Sequence, residues 1–290
     1  MRLYFKDHRW LPWLLIFPQL VVILLFFYWP AVQAFIQSFQ MEDIFGITRE
    51  WGGFENFRIL FADAIYREAI GTTLYFSFWV TILGLSLSLL LAFFMRRILR
   101  GLAFYRTFLI LPYAVSPVVV GVLWTFMFAP SFGIITYWLS KMGIVWNHQM
   151  NSGQAMWLVI IASIWKQISY NFLFFYAGLQ AIPKSLLEAA AIDGAGPVRR
   201  FMSIEFPLLW PTTFFLCVIN IVYVFFDTFA IIDALTQGGP GNSTATLVYR
   251  IYFDGFKAMN YGSSAAQSIV LMAFVLLLTI IQFRFIDKKG

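Results

Sequence analysis

Six long stretches of predominantly apolar residues alternate with shorter polar segments along the chain of 290 residues. A helix that crosses a bilayer needs about 20 mainly apolar residues, and each stretch reaches that length. The pattern therefore predicts an all-α, polytopic membrane protein with six transmembrane helices, at residues 11–35, 73–95, 104–128, 155–180, 208–232 and 264–286. The first stretch is too long for the apolar part of a signal peptide, so we expect it to be retained as a span.

The composition fits lipid as the solvent for most of the chain. Hydrophobic residues make up 61% and charged residues 12%, against about 45–50% and 25% in soluble proteins. So few charges could not cover this much apolar surface in water. The net charge of +6 comes from basic residues that flank the apolar stretches, which indicates membrane topology rather than nucleic-acid binding. One cysteine, Cys217, allows neither an internal disulfide nor a thiolate metal cluster.

Lysine and arginine are distributed unequally between the two sets of connecting segments. The richer set holds Arg2, Lys6, Arg9, Arg96, Arg97, Arg100, Arg106, Lys184, Arg199, Arg200, Arg284, Lys288 and Lys289. Because basic residues accumulate on the cytoplasmic side, both termini and the loops at 96–106 and 181–207 are predicted to be cytoplasmic. The segments at 36–72, 129–154 and 233–263 are then predicted to lie outside.

The cytoplasmic segment at residues 183–207 has the pattern of two short helices rather than of a linker. Ser185 and Glu188 fit a capping box, in which each side chain satisfies a backbone donor of the other. Gly194 is expected to end the first helix with a positive φ, which glycine adopts without strain. Pro197 suits the first turn of the second helix. The segment is thus predicted to form a helix–turn–helix elbow along the membrane face.

The elbow should expose small apolar residues, Ala189 and Ala190, among charged ones. Such a surface suits docking into a groove of a partner protein. The residues alone are equally compatible with an ordinary amphipathic surface helix.

The spacing within the elbow resembles the EAA loop of ABC-importer permeases. The matching positions are Glu188, Ala189, Ala190, Gly194, Ile204 and Pro207, while Phe206 stands where the family usually has leucine. The resemblance implies that the elbow couples the permease to an ATPase subunit. The residues implied for this role are Glu188, Ala189, Ala190, Asp193, Gly194, Arg199, Arg200, Ile204 and Pro207.

Further segments extend the resemblance over nearly the whole chain. Residues 51–57 and 235–240 are similar to sugar-type permeases of the maltose class, and residues 111–124, 151–159, 163–183 and 225–229 to permeases of sn-glycerol-3-phosphate uptake systems. The resemblance implies the type I ABC-importer transmembrane fold and one permease domain over residues 1–290, with core spans at about 73–286. It also implies import of sn-glycerol-3-phosphate or glycerophosphodiesters, with a neutral sugar or oligosaccharide as the alternative.

The partners expected from this resemblance are a second permease subunit, two ATPase subunits and an extracytoplasmic substrate-binding protein, in the lipid of a bacterial inner membrane. The sequence lacks the phosphate-binding pattern G-x-x-x-x-G-K-[ST], so ATP and Mg should be bound by the ATPase subunits. No cofactor, metal site or catalytic residue is expected in this chain. His8 and His148 should lie on opposite sides of the membrane and are interpreted as surface residues.

Two rival functions are weaker. A membrane enzyme would need a nucleophile–base pair or a metal cluster at one depth, and no span contains one. A channel would need rings of polar residues lining a pore. The sequence does not exclude a channel, but a channel has no use for an elbow that docks to an ATPase.

The fourth predicted span contains Lys166, whose insertion at membrane depth costs at least about 2.5–3.5 kcal/mol. Tyr170 lies on the same helical face, and Gln167 and Asn171 lie beside it. Lys166 should therefore face a cavity or a partner. Contact with an anionic substrate, a structural ion pair with Asp227 or the second permease, and extension to the membrane interface all remain open.

The fifth predicted span places Asn220, Tyr223 and Asp227 on one face. Asp227 is expected to face inward because a carboxylate is costly against lipid. Asn220 and Tyr223 can bind a polyol in the pathway or hold helices together. The residues predicted for the substrate pathway are thus Lys166, Gln167, Tyr170, Asn171, Asn220, Tyr223 and Asp227.

Overall fold

The computed structural model describes residues 10–42, 49–96 and 101–287. Several residues on which the orientation prediction rests lie outside these ranges, as does one of the two histidines. They are Arg2, Lys6, His8, Arg9, Arg97, Arg100, Lys288 and Lys289.

Helices make up nearly all the regular structure of the described residues. The α-helices are α1 (Leu11–Ile23), α2 (Trp29–Gln37), α3 (Glu55–Ala62), α4 (Ala64–Met95), α5 (Leu102–Ala114), α6 (Pro117–Met127), α7 (Ile134–Lys141), α8 (Ser152–Ala181), α9 (Lys184–Ile192), α10 (Pro197–Arg200), α11 (Phe206–Leu208), α12 (Trp210–Val222), α13 (Phe229–Leu235), α14 (Leu247–Tyr252) and α15 (Tyr261–Asp287). Turns of π-helix occupy Leu24–Tyr28, Phe201–Glu205, Tyr223–Asp227 and Phe253–Lys257. Two short antiparallel strands, β1 (Gln40–Glu42) and β2 (Arg49–Trp51), pair with Gln40 opposite Trp51.

Five helical segments of the described residues are long and apolar enough to cross a membrane. They are Trp13–Gln37, Ala64–Met95, Ser152–Ala181, Trp210–Asp227 and Tyr261–Arg284. These correspond to five of the six predicted spans, although the second begins nine residues earlier than expected. The segment Ser152–Ala181 is the most buried of them, whereas the first is exposed along its length in the single chain.

The third predicted span is present as two helices separated by a sharp bend. Helices α5 and α6 are bent by 102° where they meet and supply a sixth span only as a broken pair. Val115 and Ser116 between them have extended backbone, with ψ of 132° and 146°. Ser116 precedes Pro117, whose ring disfavours helical geometry in the residue before it. The bend therefore has a local cause.

The contacts of the described residues divide them into two compact units, one within residues 1–64 and 250–274 and one within residues 65–249 and 275–290. In the first, the Asn56 side chain donates hydrogen bonds to the carbonyl oxygens of Ser38 and Gln40, 3.0 and 2.8 Å away. In the second, the core forms where α4, α8 and α12 pack together. Its fully buried residues include Phe172, Phe175, Leu179, Leu209 and Leu216. The predicted elbow and both polar clusters belong to the second unit.

Candidate functional site

Residues 183–207 form the expected elbow of two short helices, α9 and α10. Gly194 stands just after α9 with a φ of +79°, which confirms the predicted left-handed backbone. The Ala195 amide donates to the carbonyl of Ala190 at 2.9 Å, and the Gly194 amide donates to that of Ala191 at 3.1 Å. This is the Schellman pattern of helix ends. The turn that separates the two helices therefore depends on a residue that tolerates positive φ.

The predicted capping box at the start of α9 does not form. The helix begins at Lys184, and Pro183 takes the N-cap position without a side-chain hydrogen bond. Ser185 consequently lies inside the first turn, whereas a capping serine must precede the helix. Glu188 is exposed.

The elbow exposes an apolar surface bordered by charges. Ile192 and Val198 are 88% and 72% exposed, Ala189 is exposed, and Ala190 is half-buried. The charged residues Glu188, Asp193 and Arg199 are exposed around them. Arg200 donates to the carbonyl of Leu187 at 3.4 Å and so links the second helix to the first. The helical chain continues through Ile204 to Pro207 and Leu208.

An ion pair that the sequence does not predict fixes the exit of the elbow to the C-terminal end of α4. Arg96 and Glu205 approach to 2.6 Å, and Glu205 is only 3% exposed. The two residues are 109 positions apart in the chain. No local sequence pattern indicates such a pair. The one available signal is an acidic residue, Glu205, shortly before an apolar stretch.

Lys166 is buried in α8 and reaches towards the bend between α5 and α6. Its ammonium nitrogen Nζ donates to the carbonyl oxygen of Tyr113 at 2.7 Å and lies 5.1 Å from the centre of the Tyr113 ring. The ring of Tyr170 lies 6.2 Å from the same ring. The described residues show no ion pair between Lys166 and Asp227. The partner of Lys166 within this chain is thus a backbone carbonyl, which was not among the three alternatives drawn from the sequence.

Asn171 and Asn220 face each other at the junction of α8 and α12. Asn171 Nδ2 donates to Asn220 Oδ1 at 3.1 Å, and Asn220 Nδ2 donates to Asn171 Oδ1 at 2.7 Å. Both side chains are fully buried, and Gly84 of α4 lies beside them without a side chain. The structure therefore brings them to a three-helix junction rather than to a cavity wall.

The remaining polar residues of the two spans separate into buried and exposed ones. The Tyr223 hydroxyl donates to the carbonyl of Ser163 at 3.2 Å and so connects the fifth span to the fourth. Gln167 is 7% exposed, and no hydrogen bond of its amide is found among the described ranges. Asp227 is exposed in the single chain and has no ion-pair partner in the part of the chain that is described.

His148 in the segment between α7 and α8 is buried, so its interpretation as a surface residue is wrong. It is 3% exposed, and its Nδ1 has no hydrogen-bond partner in the described structure. Burial lowers the pKa of His148 below its ordinary value of 6.5, and a backbone hydrogen bond with Phe128 opposes this effect. Within the described residues no three metal-ligating side chains come together.

Comparison with known proteins relates these features to a family. Residues 84–289, more than half of the chain, match the family model described as "Binding-protein-dependent transport system inner membrane component". Over 281 residues, the chain is 55% identical to the sn-glycerol-3-phosphate transport system permease protein UgpA of Escherichia coli (strain UTI89 / UPEC). The alignment covers 97% of this chain and 95% of that protein.

Two solved structures share the architecture. One is a bacterial ABC transporter involved in the import of the acidic polysaccharide alginate, with a TM-score of 0.82, 25% identity and coverage of 98% of this chain and 99% of that chain. The other is a bacterial alginate ABC transporter in complex with an alginate pentasaccharide-bound periplasmic protein. Its TM-score is 0.84 at 24% identity, with coverage of 96% of this chain and 95% of that chain.

Proposed function

Because the chain belongs to the family of binding-protein-dependent transport system inner membrane components, we propose that it forms half of the translocation pathway of an ABC importer for sn-glycerol-3-phosphate. The chain has the fold of type I ABC-importer permeases, and the resemblance drawn from residues 183–207 is confirmed. It is a transporter component of the inner membrane and not an enzyme. The assignment of the substrate rests on one observation, the 55% identity over 97% of the chain to a permease named for sn-glycerol-3-phosphate.

The proposed assembly contains a second permease subunit, two ATPase subunits and an extracytoplasmic binding protein, embedded in membrane lipid. The related alginate transporter in complex with a periplasmic protein supports the binding protein. The sequence carries no phosphate-binding pattern of its own, which supports ATP and Mg sites in the partner subunits. Both termini of this chain are proposed to be cytoplasmic, so that the elbow faces the ATPase subunits.

The elbow is the proposed contact with an ATPase subunit. Its exposed Ile192 and Val198, with Ala189 and Ala190 beside them, offer an apolar surface of the size of a few side chains. Closure of the ATPase dimer on ATP would move this surface, and the permease pair would turn its cavity from the cytoplasm to the outside. This is alternating access by rigid-body movement.

The proposed substrate contacts are Lys166, Gln167, Tyr170 and Asp227. The ammonium group of Lys166 has three donors, and one of them is used on Tyr113. The others can bind the phosphate of the substrate as charge-assisted hydrogen bonds. The amide of Gln167 and the hydroxyl of Tyr170 are suited to the glycerol hydroxyls. Asn171, Asn220 and Tyr223 support these residues by holding α8 and α12 in register.

Uptake of labelled sn-glycerol-3-phosphate by proteoliposomes that contain the complete importer tests the substrate. We expect saturable uptake that an excess of unlabelled sn-glycerol-3-phosphate or of a glycerophosphodiester suppresses, while maltose has no effect. Uptake of labelled maltose, with no uptake of the phosphate ester, would instead assign a neutral sugar. Boiled binding protein serves as the control for leakage.

A further inference from the structure

The ion pair between Arg96 and Glu205 occupies the place where the elbow joins the membrane-spanning helices. Arg96 follows the last residue of α4, and Glu205 ends the π-helical turn Phe201–Glu205 that leads out of α10. Their side chains meet at 2.6 Å, with the side chains of Arg96 and Glu205 25% and 4% exposed. The second carboxylate oxygen of Glu205 is buried and has no hydrogen-bond partner in the described part of the chain. The carboxylate is therefore held through Arg96.

The packing around this pair is incomplete. The rings of Phe93 and Phe201 touch edge to face, 4.9 Å between centroids, and join the same two elements. Beside them a groove of about 560 Å³ opens between α4 and the elbow exit. Its walls are apolar and include Leu90, Phe94 and Met202. A movement of the elbow can thus reach α4 through the ion pair and the ring contact.

We propose that Arg96 and Glu205 are positioning residues that carry the movement of the elbow to the second span. The proposal rests on the function proposed above, in which the elbow receives movement from an ATPase subunit. A charge-assisted bond is short and directional, so the two elements must move together while it persists. An apolar contact of the same area would let them slide. The pair acts on the substrate only through the position of α4.

Four versions of the complete importer in proteoliposomes test this role. They are the wild type, Glu205→Gln, the apolar pair Arg96→Met with Glu205→Met, and the exchanged pair Arg96→Glu with Glu205→Arg. The apolar pair matters because replacing both partners of a buried ion pair by apolar residues of similar size commonly preserves stability. The readouts are the melting temperature, ATP hydrolysis with and without loaded binding protein, and substrate imported per ATP consumed.

We expect the apolar pair to assemble with a melting temperature near that of the wild type, and to hydrolyse ATP. Its substrate imported per ATP should fall about fivefold or more, which is the lower range of measured coupling between sites. The exchanged pair should recover part of that ratio. An unchanged ratio in the apolar pair would overturn the proposal. A loss of assembly in Glu205→Gln, together with an unchanged ratio in the apolar pair, would assign the ion pair to stability alone. If the proposed transport function itself is wrong, the wild type will import no substrate, which distinguishes that outcome from failure of the ion-pair proposal.

Discussion

Lys166 of α8 donates a hydrogen bond of 2.7 Å to the carbonyl oxygen of Tyr113, the residue before the last one of α5. Carbonyl groups in the last turn of a helix have no partner within it, and that end carries the negative pole of the helix dipole. The ammonium group therefore donates to a carbonyl that has no partner within the helix, and its positive charge lies at the negative pole of the helix dipole. It also ties the fourth span to the 102° bend of the third.

Replacing Lys166 by methionine should reduce import of an anionic substrate without preventing assembly. Methionine keeps most of the length of the side chain but removes the charge and the donors. Loss of a charge-assisted hydrogen bond costs about 1.5–3 kcal/mol, which corresponds to roughly tenfold or more in affinity. The KM for sn-glycerol-3-phosphate uptake should rise by about that factor.

Lys166→Arg is the matched control, because arginine retains the charge with a different geometry. We expect it to recover part of the uptake. Equal KM values for the wild type and Lys166→Met would restrict Lys166 to its bond with Tyr113.

Asn171 and Asn220 should behave as a pair that stabilises the helix junction. Asn171→Leu leaves the buried amide of Asn220 without its reciprocal partner, at a cost of about 1 kcal/mol. Combining Asn171→Leu with Asn220→Leu should cost less than the sum of the single changes, because both polar groups are removed together. Melting temperatures of the purified complex measure this. Uptake abolished in the double variant at unchanged stability would show instead that the two amides bind substrate.

Gly194→Val should uncouple ATP hydrolysis from transport. A Cβ at Gly194 meets nothing within 4 Å, so the cost comes from the φ of +79°, about 1–3 kcal/mol for a residue forced into that region. The strained turn should change the angle between α9 and α10. Gly196 is the control position, since its φ is −66° and its Cβ would also be unobstructed.

Gly196→Ala should therefore leave ATP hydrolysis stimulated by the binding protein intact, while Gly194→Val abolishes that stimulation. Gly194→Asn should be intermediate, because asparagine tolerates the left-handed region better than valine. Stimulation preserved in Gly194→Val would remove the elbow from the coupling path.

His148 should make the stability of the segment between α7 and α8 depend on pH. Burial lowers the pKa of this imidazole below 6.5 in the folded chain, so the unfolded chain takes up the proton first as the pH falls. Stability should be constant above about pH 6.5 and should decrease below it, down to the folded-state pKa. Melting curves between pH 8 and pH 5, with His148→Gln as the comparison, measure the effect. Curves for His148→Gln that show the same decrease would assign it to another group.

The sequence predicts those features that depend on neighbouring residues. Hydropathy over 20 residues identifies the spans because transfer to lipid depends on composition and length. The positive φ of Gly194 follows from a helix-breaking glycine between two helical patterns. The bend at Ser116 has a local signal in the following Pro117, but the apolar pattern runs across it without a break.

Features that depend on contacts between distant segments escape such reasoning. The helical period places Asn220 and Tyr223 on one face, yet it does not say that this face meets Asn171 and the backbone of Ser163. The ion pair between Arg96 and Glu205 is invisible for the same reason. Burial of His148 is likewise decided by packing against the segment around Phe128.

Accumulation of labelled sn-glycerol-3-phosphate inside proteoliposomes of the complete importer, with loaded binding protein on one side and ATP on the other, tests the central claim most directly. The account predicts accumulation above the supplied concentration with hydrolysable ATP, and none with a non-hydrolysable analogue or without binding protein. Equilibration of the substrate without ATP would contradict it and would indicate a passive pathway through the membrane.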